Sequence, residues 1–329
     1  FKSIRYVKTV ASGTGSGHSW ANASSDLQLM INQACQNTEI WVASGTYMPI
    51  RPANNLNTIY VNSRENAFVL KADVKILGGF PSTGTPLMAH RDWNTNVTIL
   101  SGNIGSINDN LDNAYHVVIS SNDVGTAELN GFSIADGQAN GSYSINVNYI
   151  MIDHNIGGGM YCSSSSPRLF NCKFLRNTSF HGGGGMYCED DSSPTLTNCI
   201  FSGNSAGNYG GGGMRNYSSD VTLINCSFLD NTSEYGGAIF NEYYSNSTIT
   251  NCSFLGNIGR QVGGAIYNTN VSSINTTNCS FSGNSASDYG GGIYNLYTLP
   301  NKIINCNFLG NSASNYGGGV CNRNSPTTI

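Results

Sequence analysis

Asn198-Cys199-Ile200-Phe201-Ser202-Gly203-Asn204 is one copy of a phrase that the chain repeats six times. The tetrad Asn-Cys-x-Phe begins at Asn171, Asn198, Asn225, Asn251, Asn278 and Asn305. Its cysteines (Cys172, Cys199, Cys226, Cys252, Cys279, Cys306) are spaced 27, 27, 26, 27 and 27 residues apart. Each Phe is followed three residues on by Asn177, Asn204, Asn231, Asn257, Asn284 or Asn311. Between copies lies a glycine run, from Gly157-Gly158-Gly159 through Gly236-Gly237 to Gly317-Gly318-Gly319. A fixed period of this length marks a solenoid or a propeller.

Working outward, Thr195-Leu196-Thr197-Asn198-Cys199-Ile200-Phe201 alternates apolar and polar, the period of a strand with one buried face. Gly, Asn and Ser clusters divide each unit into short strands. The unit is shorter than a WD-type blade and has no Trp-Asp pair, and there is no Leu ladder. The spacing therefore predicts an all-β parallel β-helix with one repeat of about 27 residues per coil and three strands per coil. The first strand follows the glycines (Ala265-Ile266-Tyr267), the second is of the Thr195-Leu196-Thr197 type, and the third is of the Cys-x-Phe type. Coils about 4.8 Å apart place like side chains on like. On this reading the Asn before each Cys forms an inward ladder at a corner, with Cys and Phe pointing inward beside it. The glycines supply a tight corner with positive φ. Tyr209, Tyr235, Tyr289 and Tyr316 precede them as a second ladder, with His181 and Val262 as departures.

The chain resembles the right-handed parallel β-helix superfamily, the pectate-lyase-like solenoids. It is also similar to secreted bacterial repeat proteins such as the polymorphic outer-membrane proteins. Gly236-Gly237-Ala238-Ile239, Gly263-Gly264-Ala265-Ile266 and the six Phe-x-x-Asn copies carry that resemblance, as does the opening from Tyr6-Val7-Lys8 through Trp41 to Tyr47. It implies an extracellular or surface-exposed protein. It does not imply a reaction, because the fold hosts many functions.

A solenoid is one unit at any length, so residues 1–329 are read as a single domain. Within it, 1–38 form a first strand and a capping helix, 39–156 irregular coils with longer loops, and 157–329 regular coils. Ser25-Asp26-Leu27-Gln28 reads as a capping box opening an amphipathic helix to about Cys35, with Leu27, Met30, Ile31 and Ala34 on one face. Such a helix plugs the core at the first coil. Strand candidates in the irregular part are 39–42, 67–70, 74–77, 98–100, 115–119 and 129–134, with loops at roughly 49–65 and 81–96. Ser325-Pro326-Thr327-Thr328 matches Ser193-Pro194-Thr195-Leu196, so Ile329 falls inside a coil. The expectation there is a continuing chain or a covering molecule, hence head-to-tail self-association as in a filament subunit.

Only 10% of residues are charged and the net charge is −4. That argues against nucleic acid as a partner. No run of about 18 apolar residues suggests a transmembrane helix, and no signal peptide is visible. The repeat cysteines read as a buried thiol ladder rather than disulfides, because parallel stacking holds Cβ atoms too far apart. Cys162 and Cys188 share a second position near a corner, where a disulfide is the alternative. Cys35 and Cys321 look unpaired.

Glu189-Asp190-Asp191 is the strongest charge cluster and is placed on a corner loop. With Glu242, Asp220, Arg168 and Arg215 it offers candidate catalytic carboxylates for a lyase or hydrolase. A solvated loop is the plainer reading, since the equivalent loops of other coils carry no stack of carboxylates. Asp153-His154, His181 and Lys173–Arg176 form a looser group. Asp109 and Asp112, with Asn110 and Asn113, are candidate calcium ligands, although the spacing misses the EF-hand pattern. No other cofactor is called for. Tyr217, Tyr243, Tyr244 and Tyr297 fall in stacked corner loops and are candidates for sugar binding. Sequons at Asn22, Asn96, Asn140, Asn177, Asn231 and Asn246 matter if the host glycosylates them, whereas those at Asn225, Asn251 and Asn278 are expected to be buried. Three functions follow: a non-enzymatic extracellular or cell-surface adhesin or scaffold, with polysaccharide or surface glycans as partners; a polysaccharide lyase or glycoside hydrolase; and a filament subunit. The first is preferred, because no convergent site appears.

Overall fold

The computed structural model describes residues 3–106 and 108–329; Phe1, Lys2 and Ile107 lie outside the described residues. The chain winds as a right-handed parallel β-helix with like stacked on like. Phe174, Phe201, Phe228, Phe254 and Phe281 pair in register from coil to coil. Strand order gives three long parallel sheets. One has 11 strands from Ile4–Val7 to Thr327–Thr328, one has 9 from Gly45–Tyr47 to Asn307–Leu309, and one has 9 from Phe68–Val69 to Val320–Arg323. A fourth, narrow sheet of 7 strands runs from Gln138–Ala139 to Ser312–Ala313. Each regular coil therefore has four strands, not three. The extra one, such as Ser205–Ala206, is two residues long and shows no alternation to read.

The core is a set of columns. Phe174 to Phe308 stack with centroids 4.4 to 5.1 Å apart and planes within 2 to 8° of parallel. The coil spacing exceeds ring thickness, so the rings sit offset, each pair contributing about 0.5–1.5 kcal/mol beyond area burial. Cys172, Cys199, Cys226, Cys252 and Cys279 are buried beside them. All ten cysteines are free thiols. Cys162 and Cys188 pair in register inside the first-strand sheet, not at a corner, and continue a buried column through Asn216, Asn241, Asn268 and Asn295. Burial pushes the Cys188 and Cys199 thiols well up.

The Asn ladder at the tetrad is not inward. Asn198, Asn225, Asn251, Asn278 and Asn305 are exposed, and Asn171 is half-buried. Their φ values of 52 to 55° hold the left-handed corner that Asn tolerates. Their amides still bond along the axis, Asn225 Nδ2 donating to Asn198 Oδ1 at 3.3 Å and Asn251 Nδ2 to Asn225 Oδ1 at 3.2 Å. The buried ladder is the other one. Asn177, Asn204, Asn231, Asn257 and Asn284 are fully buried, each donating from Nδ2 to the next amide oxygen at 2.8 to 3.1 Å. The sequon accounting reverses with it: Asn177 and Asn231 are enclosed, while Asn225, Asn251 and Asn278 face solvent.

The glycine run is dictated by backbone proximity. A Cβ on Gly264 would sit 2.1 Å from the carbonyl oxygen of Gly291 one coil away, and Gly290 has φ 64°.

The N-terminal helix, Leu27–Gln33, closes the core as expected. Leu27, Met30, Ile31 and Ala34 join the main apolar cluster. Its cap is Asp26 rather than Ser25: the Asp26 carboxylate accepts from Leu29 N and also pairs with Arg51 at 2.7 Å. Gln28 completes the edge strand Phe68–Val69 as a backbone would, accepting from Val69 N at 2.8 Å and donating to Val69 O at 3.2 Å. An antiparallel hairpin, Ser144–Val147 with Ile150–Asp153, interrupts the parallel pattern at a turn through Asn148 and Tyr149.

Candidate functional site

The outer face of the first-strand sheet gathers most of the chemistry. Alternate residues of each strand point outward. One outward column runs Tyr161, Tyr187, Arg215, Phe240, Tyr267, Tyr294. Beside it Ser163 pairs with Glu189, Tyr217 with Glu242, and Thr269 with Leu296.

Arg215 is the one cation in the aromatic column. Its guanidinium lies 5.4 to 5.8 Å from the rings of Tyr187, Tyr209 and Phe240. It pairs with Glu242 through Nη2 and through Nε at 2.8 Å, and both side chains are 9% exposed. Burial raises the Glu242 carboxyl, against the pull of Arg215. Glu189 is the last residue of the strand Met186–Glu189, not part of a loop, and it accepts from Tyr161 Oη at 2.6 Å and Tyr187 Oη at 3.1 Å. Burial outweighs those hydrogen bonds and raises its carboxyl too. Two coils separate Glu189 from Glu242, about 9.6 Å along the axis.

At the adjoining corner Asp190 and Asp191 adopt φ 53 and 59°, Tyr243 and Tyr244 φ 51 and 63°, and Tyr297 φ 52°. Asp190 accepts from Ser163 Oγ at 3.2 Å. For a bulky side chain the left-handed region is strained, and such strain clusters at functional positions. Tyr243, Tyr244 and Tyr297 are 43%, 63% and 57% exposed. Tyr217 is half-buried and packs against Tyr243, ring centroids 4.9 Å apart.

Above Arg215 this face carries a groove of about 420 Å³, lined by Tyr209, Tyr235, Phe240, Glu242, Tyr267 and Tyr297, with Thr269, Asn270 and Leu296. Phe240, Tyr267 and Tyr294 stack face to face within 3 to 10° of parallel, so the column presents ring edges to the groove. Its exposed rim is Tyr209 and Tyr297, 52% and 57% exposed. Residue-type reasoning overlooked Phe240 and Tyr267; the signal was an aromatic at the alternate position of successive first strands.

Other candidates stay apart. Arg176 pairs with Asp136 at 2.9 Å, His181 packs on Tyr209, and His154 stacks on Tyr115 at 4.3 Å. Burial holds the imidazoles of His116 and His154 neutral, down to about 3 and about 4. Asp109 accepts from Leu111 N at 2.8 Å and Asp112 from Ser106 N at 2.6 Å, so both carboxylates brace their own loop. Among the described residues no three His, Cys, Asp or Glu side chains cluster as a metal site, and no helix is long and apolar enough to cross a membrane.

Parallel coils, ladders of identical residues and a helical plug define a right-handed parallel β-helix protein. The chain belongs to the family described as the right handed beta helix region, whose model matches residues 139–308, just over half of the sequence. No curated protein matches the chain. Among solved structures it is similar to pectate lyase Pel9A, with 13% identity over 99% of this chain and 77% of that one and a TM-score of 0.47. It is also similar to the A-module of the Azotobacter vinelandii mannuronan C-5 epimerase AlgE6, with 11% identity over 88% and 91% and a TM-score of 0.19.

Proposed function

We propose that this protein is a non-enzymatic extracellular or cell-surface β-helix of the adhesin or scaffold kind, binding glycans along the tyrosine-bearing corner. The observation that carries this reading is the run of exposed, left-handed Tyr243, Tyr244 and Tyr297 beside an aromatic groove. Amphipathic rings of this kind suit the apolar faces and hydroxyls of sugars. The surface location is supported by the likeness of the Gly-Gly-Ala-Ile and Phe-x-x-Asn words to polymorphic outer-membrane proteins. The carboxylates nearest the groove are committed elsewhere, Glu242 to Arg215 and Glu189 to two tyrosine hydroxyls.

A second reading, a polysaccharide lyase or glycoside hydrolase, draws on Glu189. A buried carboxyl with a raised pKa is suited to a general acid. A glycan array run beside a polysaccharide depolymerisation screen separates the two. Binding without turnover, lost on replacing Tyr243, Tyr244 and Tyr297 by Ser, is the expected result. Turnover that disappears in Glu189→Gln, or in the Asp190→Asn, Asp191→Asn double variant, would establish the enzyme instead.

A further inference from the structure

The groove over Phe240 and Tyr267 also carries information about the charge of its ligand. Its one carboxylate, Glu242, is neutralised by Arg215, and both are nine-tenths buried. What remains facing the groove is Tyr hydroxyls, the Thr269 hydroxyl, the Asn270 amide and aromatic carbon. Carboxylate ligands are held by free Arg or Lys forks, and the groove lining contains none. From Tyr297 the corner column runs through Asn270, Tyr243 and Ser218 to Asp190, with Asp191 and Asp220 beside a small pocket under Tyr244. Arg323, one coil beyond Leu296, is the cation at the opposite end.

We infer that the groove and its corner select an uncharged glycan chain and reject polyuronates. This rests on the glycan reading of the same corner. The coil spacing of about 4.8 Å is close to the length of one pyranose unit in an extended chain, so a chain along the axis places about one sugar on each coil. Running from Tyr297, a polyuronate brings its carboxylates toward Asp190, Asp191 and Asp220, where like charges repel. An uncharged chain loses nothing there and keeps the ring and hydroxyl contacts.

The test is titration calorimetry of the intact protein with four hexasaccharides: cellohexaose, N-acetylchitohexaose, hexagalacturonate and hexaglucosamine. A neutral hexamer is expected to bind at least about tenfold more tightly than hexagalacturonate. Tyr297→Ala and Tyr209→Ala, both on the exposed rim, are expected to weaken it about tenfold each. Replacing Asp190, Asp191 and Asp220 together by Asn preserves the left-handed turn at Asp190 and Asp191, and is expected to improve hexagalacturonate binding by a larger factor than it changes that of the neutral hexamer. Tightest binding of hexagalacturonate or hexaglucosamine would overturn the inference and leave the glycan reading standing. Binding of none of the four would overturn both.

Discussion

Replacing Asn231 by Ala removes one rung of the buried ladder, and its cost can be worked from the bonds it makes. Asn231 Nδ2 donates to Phe201 O at 2.9 Å and to Asn257 Oδ1 at 3.0 Å. Its Oδ1 accepts from Asn204 N at 3.1 Å and from Asn204 Nδ2 at 3.0 Å. Alanine leaves the Asn204 amide proton without that acceptor in a dry interior, which costs about 1–3 kcal/mol. Three further bonds disappear at roughly 0.5–1.5 kcal/mol each. The sum of the central values is about 5 kcal/mol. In the same coil Asn225→Ala loses exposed amide contacts and the left-handed preference of Asn, about 1 kcal/mol. Asn225→Gly recovers much of that through glycine's freedom at φ 54°. Urea unfolding followed by circular dichroism, with midpoints converted through a common slope, measures all three. An Asn225→Ala loss equal to or larger than that of Asn231→Ala would refute the assignment of inside and outside ladders.

Arg215→Met strands a buried carboxylate and is expected to destabilise by about 3–5 kcal/mol, whereas adding Glu242→Leu recovers most of the loss in the same unfolding assay. Glu189 has a folded pKa raised above its ordinary 4.5 by burial, so the folded state favours its protonated form. Its contribution is greatest below pH 4.5 and is lost as pH rises through the folded value; Glu189→Gln should therefore gain stability at neutral pH, and the gain should vanish below pH 4.5 in melts across pH. A thiol-reagent titration is expected to modify Cys35 first and the half-buried Cys306 and Cys321 more slowly, with the seven buried cysteines reacting on unfolding, when the count reaches ten; rapid modification of Cys226 in the native state would contradict its burial.

The winding was legible because stacking forces equal positions to carry equal residues, and the Cys-x-Phe words alternate in and out without exception. The helical plug was legible in the face shared by Leu27, Met30 and Ile31. The two Asn positions were not separable from spacing, since both recur in every copy. What distinguishes them is backbone conformation: the tetrad Asn turns a left-handed corner, and the later Asn follows one. The corner tyrosines were visible as types, but the groove joins Tyr209, Phe240, Tyr267 and Tyr297 from different coils, and only register aligns them. The Arg215–Glu242 pair likewise crosses between neighbouring columns, since Arg215 lies in register with Phe240 and Glu242 with Tyr217.

The side-by-side bonding of neighbouring turns also bears on how such a chain can change size. Inserting or excising one whole period lengthens or shortens the rod by a single step and leaves every seam of the same kind as before. Losing one residue within a strand instead breaks the rows of that strand, so smaller changes belong at the corners, as in the coil from Cys226 to Cys252, which is one residue shorter than its neighbours and keeps the Phe column in register.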